Sequence, residues 1–82
     1  MPLQKRWLPL ERATIHRAPD RPGVYEVGAD DGEILIVGHG IIRDELKDAL
    51  AYGDADVVRW ETTQTREQAS ELAEEHLDRL GE

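Results

Sequence analysis

Two short apolar runs near the middle of the chain predict a β-hairpin. Val24, Tyr25 and Val27 form the first run, and the sequence Ile-Leu-Ile-Val at residues 34–37 forms the second. An Asp-Asp-Gly sequence lies between the two runs, and an Asp-Gly pair tolerates the positive φ angles that tight hairpin turns need. The turn residues and the apolar runs therefore indicate the same structure.

Two later segments carry apolar residues at the helical period and predict helices. The first covers residues 41–52, and Gly53 is placed to end it in the left-handed conformation. The second covers residues 65–80 and begins with Thr65 and Gln68 at the spacing of a capping box, in which the Gln amide reaches back to the cap. Its apolar stripe consists of Ala69, Leu72, Ala73, His76, Leu77 and Leu80.

A third apolar run, Val-Val-Arg-Trp at residues 57–60, predicts a strand between the two helices. A right-handed crossover through the first helix then allows the first and third strands to pair antiparallel only if the first lies in the middle. The sequence therefore predicts an α+β fold of the form β-β-α-β-α. Its small three-stranded antiparallel sheet, in the order 2-1-3, is flanked by helices.

The length of 82 residues fits one domain, residues 1–82. Residues 1–21 are expected to form an N-terminal arm without a long helix, packed on the core through Trp7, and residues 22–80 form the core itself. The chain has no cysteine, which excludes disulfides, zinc-thiolate sites and thiol nucleophiles. It shows neither an apolar run of membrane-spanning length nor a signal-peptide core, so we expect a cytoplasmic protein with no membrane partner.

Charge is distributed unevenly along the chain. The formal net charge is -8, with 18 acidic and 10 basic residues. Residues 1–43 hold six acids and six bases, whereas residues 44–82 hold twelve acids and four bases. Only two of the bases are lysines. A small, acidic, lysine-poor domain is typical of a halophilic source, in which high salt screens the repulsion between acidic side chains.

The order of these motifs resembles that of the GIY-YIG nuclease domain. Gly-Val-Tyr at residues 23–25 is followed about ten residues later by Ile-Val-Gly at residues 36–38. An arginine on the first helix, an Arg-Trp-Glu strand and a last helix with Thr-x-x-Gln-Ala come next, so the resemblance covers residues 22–80. It implies a three-stranded sheet flanked by helices and cleavage of DNA strands. The attacking water would be activated near two motif tyrosines, an arginine would hold the phosphate, and a glutamate on the last helix would hold one metal ion.

The resemblance assigns three candidate catalytic residues. Tyr25 matches the first motif tyrosine, Arg43 matches the helix arginine, and His39 stands where the family often has a polar residue. Each also has a structural interpretation: Tyr25 as a half-buried strand tyrosine, His39 as a solvated loop histidine, and Arg43 as a surface cation paired with Glu26 or Glu33.

Two other positions depart from the family pattern. Ile36 replaces the second tyrosine, and Ala73 occupies the position of the metal-binding glutamate. Glu74 is the neighbouring candidate ligand, but adjacent helix positions point about 100° apart. Without a carboxylate at residue 73 we expect no metal site, unless Glu26 or Glu61 supplies the ligand.

Three functions are consistent with these residues. The first is a GIY-YIG-like domain that has lost nuclease activity and acts as a binding or regulatory module. The second is an active DNA endonuclease with a rearranged site, the one case in which a cofactor, Mg²⁺, is expected. The third is a protein-interaction domain, monomeric or weakly homodimeric through the last helix or the free edge of the second strand. Candidate nucleic-acid contacts are Arg17, Arg21 and Arg43, and the expected partner is nucleic acid or protein.

Overall fold

The structure, a computed structural model, describes residues 6–53 and 55–80, apart from the side chains of His76, Arg79 and Leu80. This part of the chain forms four strands and three helices. In chain order the elements are β1 (Leu8–Pro9), α1 (Arg12–Arg17), β2 (Pro22–Gly28), β3 (Ile34–Ile41), α2 (Ile42–Tyr52), β4 (Val57–Thr62) and α3 (Arg66–Leu80).

The four strands form one antiparallel sheet in the order β1-β4-β2-β3, so the α+β prediction is confirmed. The predicted strand count of three is wrong. The additional strand, β1, has two residues, and its Leu8 and Pro9 lie opposite Val58 and Val57 of β4. A proline is tolerated there because an edge strand need not donate a hydrogen bond on its outer side. The three longer strands have β2 in the middle, as the crossover argument requires.

The N-terminal segment contributes to the core on one side of the sheet. Helix α1 has six residues, in accord with the expectation of no long helix. Its Ile15 is buried together with Ala18, Ile42 and Leu46, against Val27 of the central strand. Helices α1 and α2 therefore cover one face of the sheet.

Helix α3 covers the opposite face. Successive strand residues point to opposite faces, so Val24 lies on the face away from Val27. Val24 is fully buried, and so are Ala69 and Ala73 of α3. Small alanine side chains allow the helix to approach the sheet closely, and the result is three layers with the sheet in the middle.

Two predicted helix ends are confirmed. Gly53 ends α2 in the left-handed conformation, with φ 73° and ψ 10°. At the start of α3 the backbone N–H of Gln68 donates to Oγ1 of Thr65 at 3.1 Å. The Gln68 side chain reaches back as expected, but its Oε1 accepts from the N–H of Gln64, at 2.9 Å, rather than from that of Thr65.

The apolar stripe predicted for the last helix is only partly buried. Ala69 and Ala73 are buried, whereas Leu77 is 52% exposed. The side chains of His76 and Leu80 lie outside the described residues. Exposed apolar side chains also occur on β3, where Leu35 is 44% and Ile36 is 52% exposed. Within residues 6–53 and 55–80, no helix combines the length and apolar character needed to cross a membrane.

Candidate functional site

Tyr25 lies on the central strand of the sheet and has neighbours from three other elements. Its neighbours across the sheet are Gly38 of β3 and Trp60 of β4. The side chain is 9% exposed, and its hydroxyl donates a long hydrogen bond to Oε1 of Glu45 on α2, at 3.4 Å. The candidate tyrosine is thus a largely buried side chain joined to a carboxylate.

This environment keeps the Tyr25 hydroxyl protonated. The pKa of Tyr25 is raised from 10.0 to about 12, mainly by burial and in addition by the negative charge of Glu45, the hydrogen bond to Glu45 and the charge of Asp48. Each of these effects disfavours the phenolate, because the charged form would be desolvated beside other negative charges. The group therefore acts as a hydrogen-bond donor and is a poor general base near neutral pH.

The two glycines of the motif have packing roles in this fold. A Cβ atom on Gly38 would overlap the ring of Tyr25, which lies across the Gly38 backbone. A Cβ atom on Gly23 would collide with the carbonyl oxygen of Glu61 and lie 2.9 Å from Cδ1 of Ile42. Both positions therefore need glycine: residue 23 because β4 and α2 lie close to it, and residue 38 because the Tyr25 ring does.

Arg43 is bonded to the loop that follows α1. Its Nε donates to the carbonyl oxygen of Ala18 at 3.0 Å, and its backbone N–H donates to that of Pro19 at 3.2 Å. These bonds fix the start of α2 on the loop that follows α1. Of the two glutamates named as alternative partners of Arg43, Glu26 has its carboxylate bound to Arg59 of β4, at 2.6 Å.

His39 lies on β3 opposite Val24, and it is exposed. It lines an open groove of about 540 Å³ between the start of α2 and α3, which we name the His39 groove. The groove is lined by His39, Gly40, Ile41, Asp44, Glu45, Arg66, Glu67 and Ser70. Glu45 connects this groove to the Tyr25 hydroxyl, whereas Tyr25 and His39 themselves project from opposite faces of the sheet.

Electrostatics in the His39 groove oppose a phosphate backbone. Three carboxylates line it against one arginine, and the candidate phosphate ligand Arg43 is not among its lining residues. Acidic walls repel a polyanion, so a DNA strand would find little support here. The sequence did not single out Glu45, because its role depends on the contact between α2 and the central strand.

The residues do not fit the metal ion that the resemblance implies. Ala73 is 2% exposed against the sheet, Glu74 is exposed to solvent, and Ile36 is on the edge strand. Glu26 is fully buried and bound to Arg59, while Glu61 lines a separate groove with Arg21. Among the described side chains, no group of three or more His, Cys, Asp or Glu is placed to hold a metal ion.

The three candidate nucleic-acid contacts lie at different positions in the fold. Arg17 is exposed at the end of α1, and its Nε donates to the carbonyl oxygen of Ala13 at 3.4 Å. Arg21 lines an open groove of about 820 Å³ between β4 and α3, together with several glutamates. Arg43 lines a different groove, between α1 and α2. Each of the three arginines therefore has a different set of neighbours in the structure.

Comparisons with known proteins give one match. The model of a family described as a domain of unknown function (DUF7508) matches residues 1–79. No curated protein and no solved structure matches the chain. Since the family match covers nearly all of the 82 residues, the chain belongs to the DUF7508 family.

Proposed function

We propose that this chain is a GIY-YIG-like domain without nuclease turnover, which acts as a binding or regulatory module. The observation that carries the proposal is the position of Ala73. The resemblance requires a metal-binding carboxylate at this residue, but the side chain is 2% exposed on the face of α3 that meets the sheet. The neighbouring Glu74 is exposed and points elsewhere around the helix.

The other candidate residues support the same proposal. Tyr25 holds its proton up to high pH and donates to Glu45, so it is unsuited to activate water. Arg43 uses its Nε on the Ala18 carbonyl oxygen and lies outside the His39 groove. A nuclease needs the nucleophile's activator, the phosphate ligand and the metal ligand around one scissile bond. In this chain, Tyr25 faces α2 and Ala73 faces the opposite side of the sheet, so the corresponding residues do not surround one site.

The test is an assay of cleavage on labelled single-stranded, duplex and branched DNA. The protein is incubated with Mg²⁺ or Mn²⁺ over a wide range of KCl concentrations, beside the Tyr25→Phe and Arg43→Ala variants. Circular dichroism shows that each protein is folded. We expect no cleavage at any salt concentration. Cleavage by the wild type that disappears in both variants would establish an active nuclease and end the proposal.

A second candidate, a protein-interaction domain, is favoured by the outer edge of β3. This strand ends the sheet, and its sequence Ile-Leu-Ile-Val-Gly-His-Gly-Ile contains none of the Asp, Glu, Lys or Arg residues that protect edge strands. Leu35 and Ile36 are exposed there. A second copy of the chain is the proposed occupant, because antiparallel pairing of two identical edges satisfies both ladders and closes a dimer.

Sedimentation velocity tests this second candidate. We expect the sedimentation coefficient of the wild type to rise with concentration, and that of the Ile36→Lys variant to stay constant. A wild-type coefficient that does not change with concentration would exclude self-association through β3.

A further inference from the structure

A cationic groove lies between α1 and α2, on the side of α2 away from Glu45. We name it the α1–α2 groove. Its volume is about 420 Å³, and it is lined by Arg12, Ile15, His16, Arg43, Lys47 and Leu50. The three residues from α1 are spaced i, i+3, i+4, and those from α2 are spaced i, i+4, i+7. Both helices thus present one continuous side to the same space.

The lining of the α1–α2 groove carries basic groups and no carboxylate. Arg12, Arg43, Lys47 and the imidazole of His16 face it, within a chain whose net charge is -8. The acids Asp44 and Glu45 of the same helix line the His39 groove instead. Among the described residues, the ion pair is between Glu26 and Arg59. The cations of the α1–α2 groove therefore form no ion pair with a carboxylate in this part of the chain.

One cation is held in place, and the groove has an apolar floor. The bond from Nε of Arg43 to the Ala18 carbonyl oxygen, at 3.0 Å, fixes the guanidinium while engaging only one of its nitrogens. The terminal nitrogens remain suited to the forked contact that arginine makes with phosphate oxygens. Ile15 is buried and Leu50 is half-buried beneath the charged rim.

We propose that the α1–α2 groove binds a small phosphorylated organic molecule of the size of a nucleotide. The phosphates contact Arg12, Arg43 and Lys47, and the apolar part lies on Ile15 and Leu50. The groove volume falls within the range of about 300–1,000 Å³ that is usual for small-ligand sites. This inference gives the proposed binding module a ligand class and rests on that proposal only for its biological role.

The surroundings favour a small ligand over a nucleic acid. Binding of DNA depends on a run of phosphate contacts along an extended basic surface. Here the basic surface is limited to one groove, and the exposed acids Asp44 and Asp48 follow on the next side of α2. A small anion can occupy the groove without approaching them, whereas a long polyanion cannot.

Isothermal titration calorimetry at low salt tests the assignment. The probes are ATP, ADP, pyrophosphate, adenosine and a short DNA duplex. We expect saturable binding of ATP and ADP with one site per chain, weaker binding of pyrophosphate, and none of adenosine. The Arg12→Gln/Lys47→Gln variant should bind ATP at least about tenfold more weakly, since each substitution removes a charged hydrogen bond to the phosphates.

The matched control is the Arg6→Gln/Arg66→Gln variant. Like the test variant, it removes two positive charges, but from exposed positions that do not line the α1–α2 groove. We therefore expect its affinity for ATP to change less than about twofold. Equal loss in both variants would mean attraction by overall charge and would overturn the site. Absence of binding by the folded wild type would overturn it as well.

The DNA duplex separates this inference from the preceding proposal. Tighter binding of the duplex than of ATP, lost in the Arg12→Gln/Lys47→Gln variant, would assign the groove to nucleic acid and overturn the small-ligand proposal. DNA cleavage in the nuclease assay would instead end the proposed loss of activity and leave the ATP result standing. The two proposals can therefore fail separately.

Discussion

Glu26 and Arg59 face each other on the two central strands, with Oε1 of the carboxylate 2.6 Å from Nε of the guanidinium. Glu26 is fully buried, and Arg59 is nearly so. The guanidinium also stacks on Trp7, with Cζ 4.0 Å from the ring centroid. One buried ion pair thus connects β2, β4 and the N-terminal segment.

Removing the cation of this pair should destabilise the protein strongly. The Arg59→Met variant leaves the Glu26 carboxylate buried without its cation, and we expect the free energy of unfolding to fall by about 3 kcal/mol. The Glu26→Met/Arg59→Met variant removes both charges and should lose less than the single variant does. Urea unfolding measures both changes. An Arg66→Met control on the surface should change stability by about 0.5 kcal/mol or less. A double variant less stable than Arg59→Met would contradict this account.

We predict that residue 38 must be glycine because the Tyr25 ring packs against its backbone, and not because of a catalytic role. We expect Gly38→Ala to destabilise the fold by about 1–3 kcal/mol, because the new Cβ overlaps a buried ring. In a Tyr25→Leu background the same substitution should be neutral or slightly stabilising, since alanine lowers the entropy of the unfolded chain. A double-mutant cycle measured by urea unfolding gives the coupling. Equal effects in the two backgrounds would exclude the ring contact.

The parts of the fold that depend on local chemistry could be predicted from the sequence. The Asp-Gly sequence predicted the hairpin, Gly53 predicted the end of α2, and Thr65 with Gln68 predicted the start of α3. Strand β1 could not be predicted, because two residues carry no periodicity and their pairing depends on β4. Leu77 has the right spacing for the stripe, but whether a position is covered depends on how far the sheet extends beneath the helix.

The candidate site depends on contacts between residues distant in sequence, and these were predicted less well. Tyr25 and Arg43 were chosen by residue type and spacing. Their partners, Glu45 and the Ala18 carbonyl oxygen, are 20 and 25 residues away and follow only from the packing of α2. The cationic α1–α2 groove carried a detectable signal, basic residues at i and i+4 on both helices, but the sequence does not show that the two helices meet.

The position of Ala73 also predicts what happens when the missing carboxylate is restored. Ala73→Glu should lower the free energy of unfolding by about 3 kcal/mol or more, because it buries a charge at a site that is 2% exposed. The Glu74→Ala control, at an exposed position, should change it by about 0.5 kcal/mol or less. Urea unfolding with and without Mg²⁺ measures both. Stabilisation of the Ala73→Glu variant by Mg²⁺ would show a metal site that the packing opposes.

Tyr25 predicts a loss of stability at high pH. Its pKa is raised from 10.0 to about 12 in the folded protein, so between these values the folded state binds the proton and the unfolded state does not. The stabilisation is fully present below pH 10 and is lost as the pH rises towards 12, with a contribution of the order of 2 kcal/mol. The Tyr52→Phe variant, in which Tyr25 is the remaining tyrosine, should therefore unfold more easily as the pH increases through this range.

Ultraviolet absorbance of tyrosinate in the Tyr52→Phe variant follows this ionisation directly. We expect a midpoint near pH 12 while the protein remains folded, as checked by circular dichroism at each pH. The Tyr25→Phe variant is the control, since it removes both the ionisation and the hydrogen bond to Glu45. Its stability should fall less steeply above pH 10 than that of the Tyr52→Phe variant. A Tyr25 midpoint near 10 in the folded protein would mean that the hydroxyl is open to water, and that its burial against Glu45 does not hold in solution.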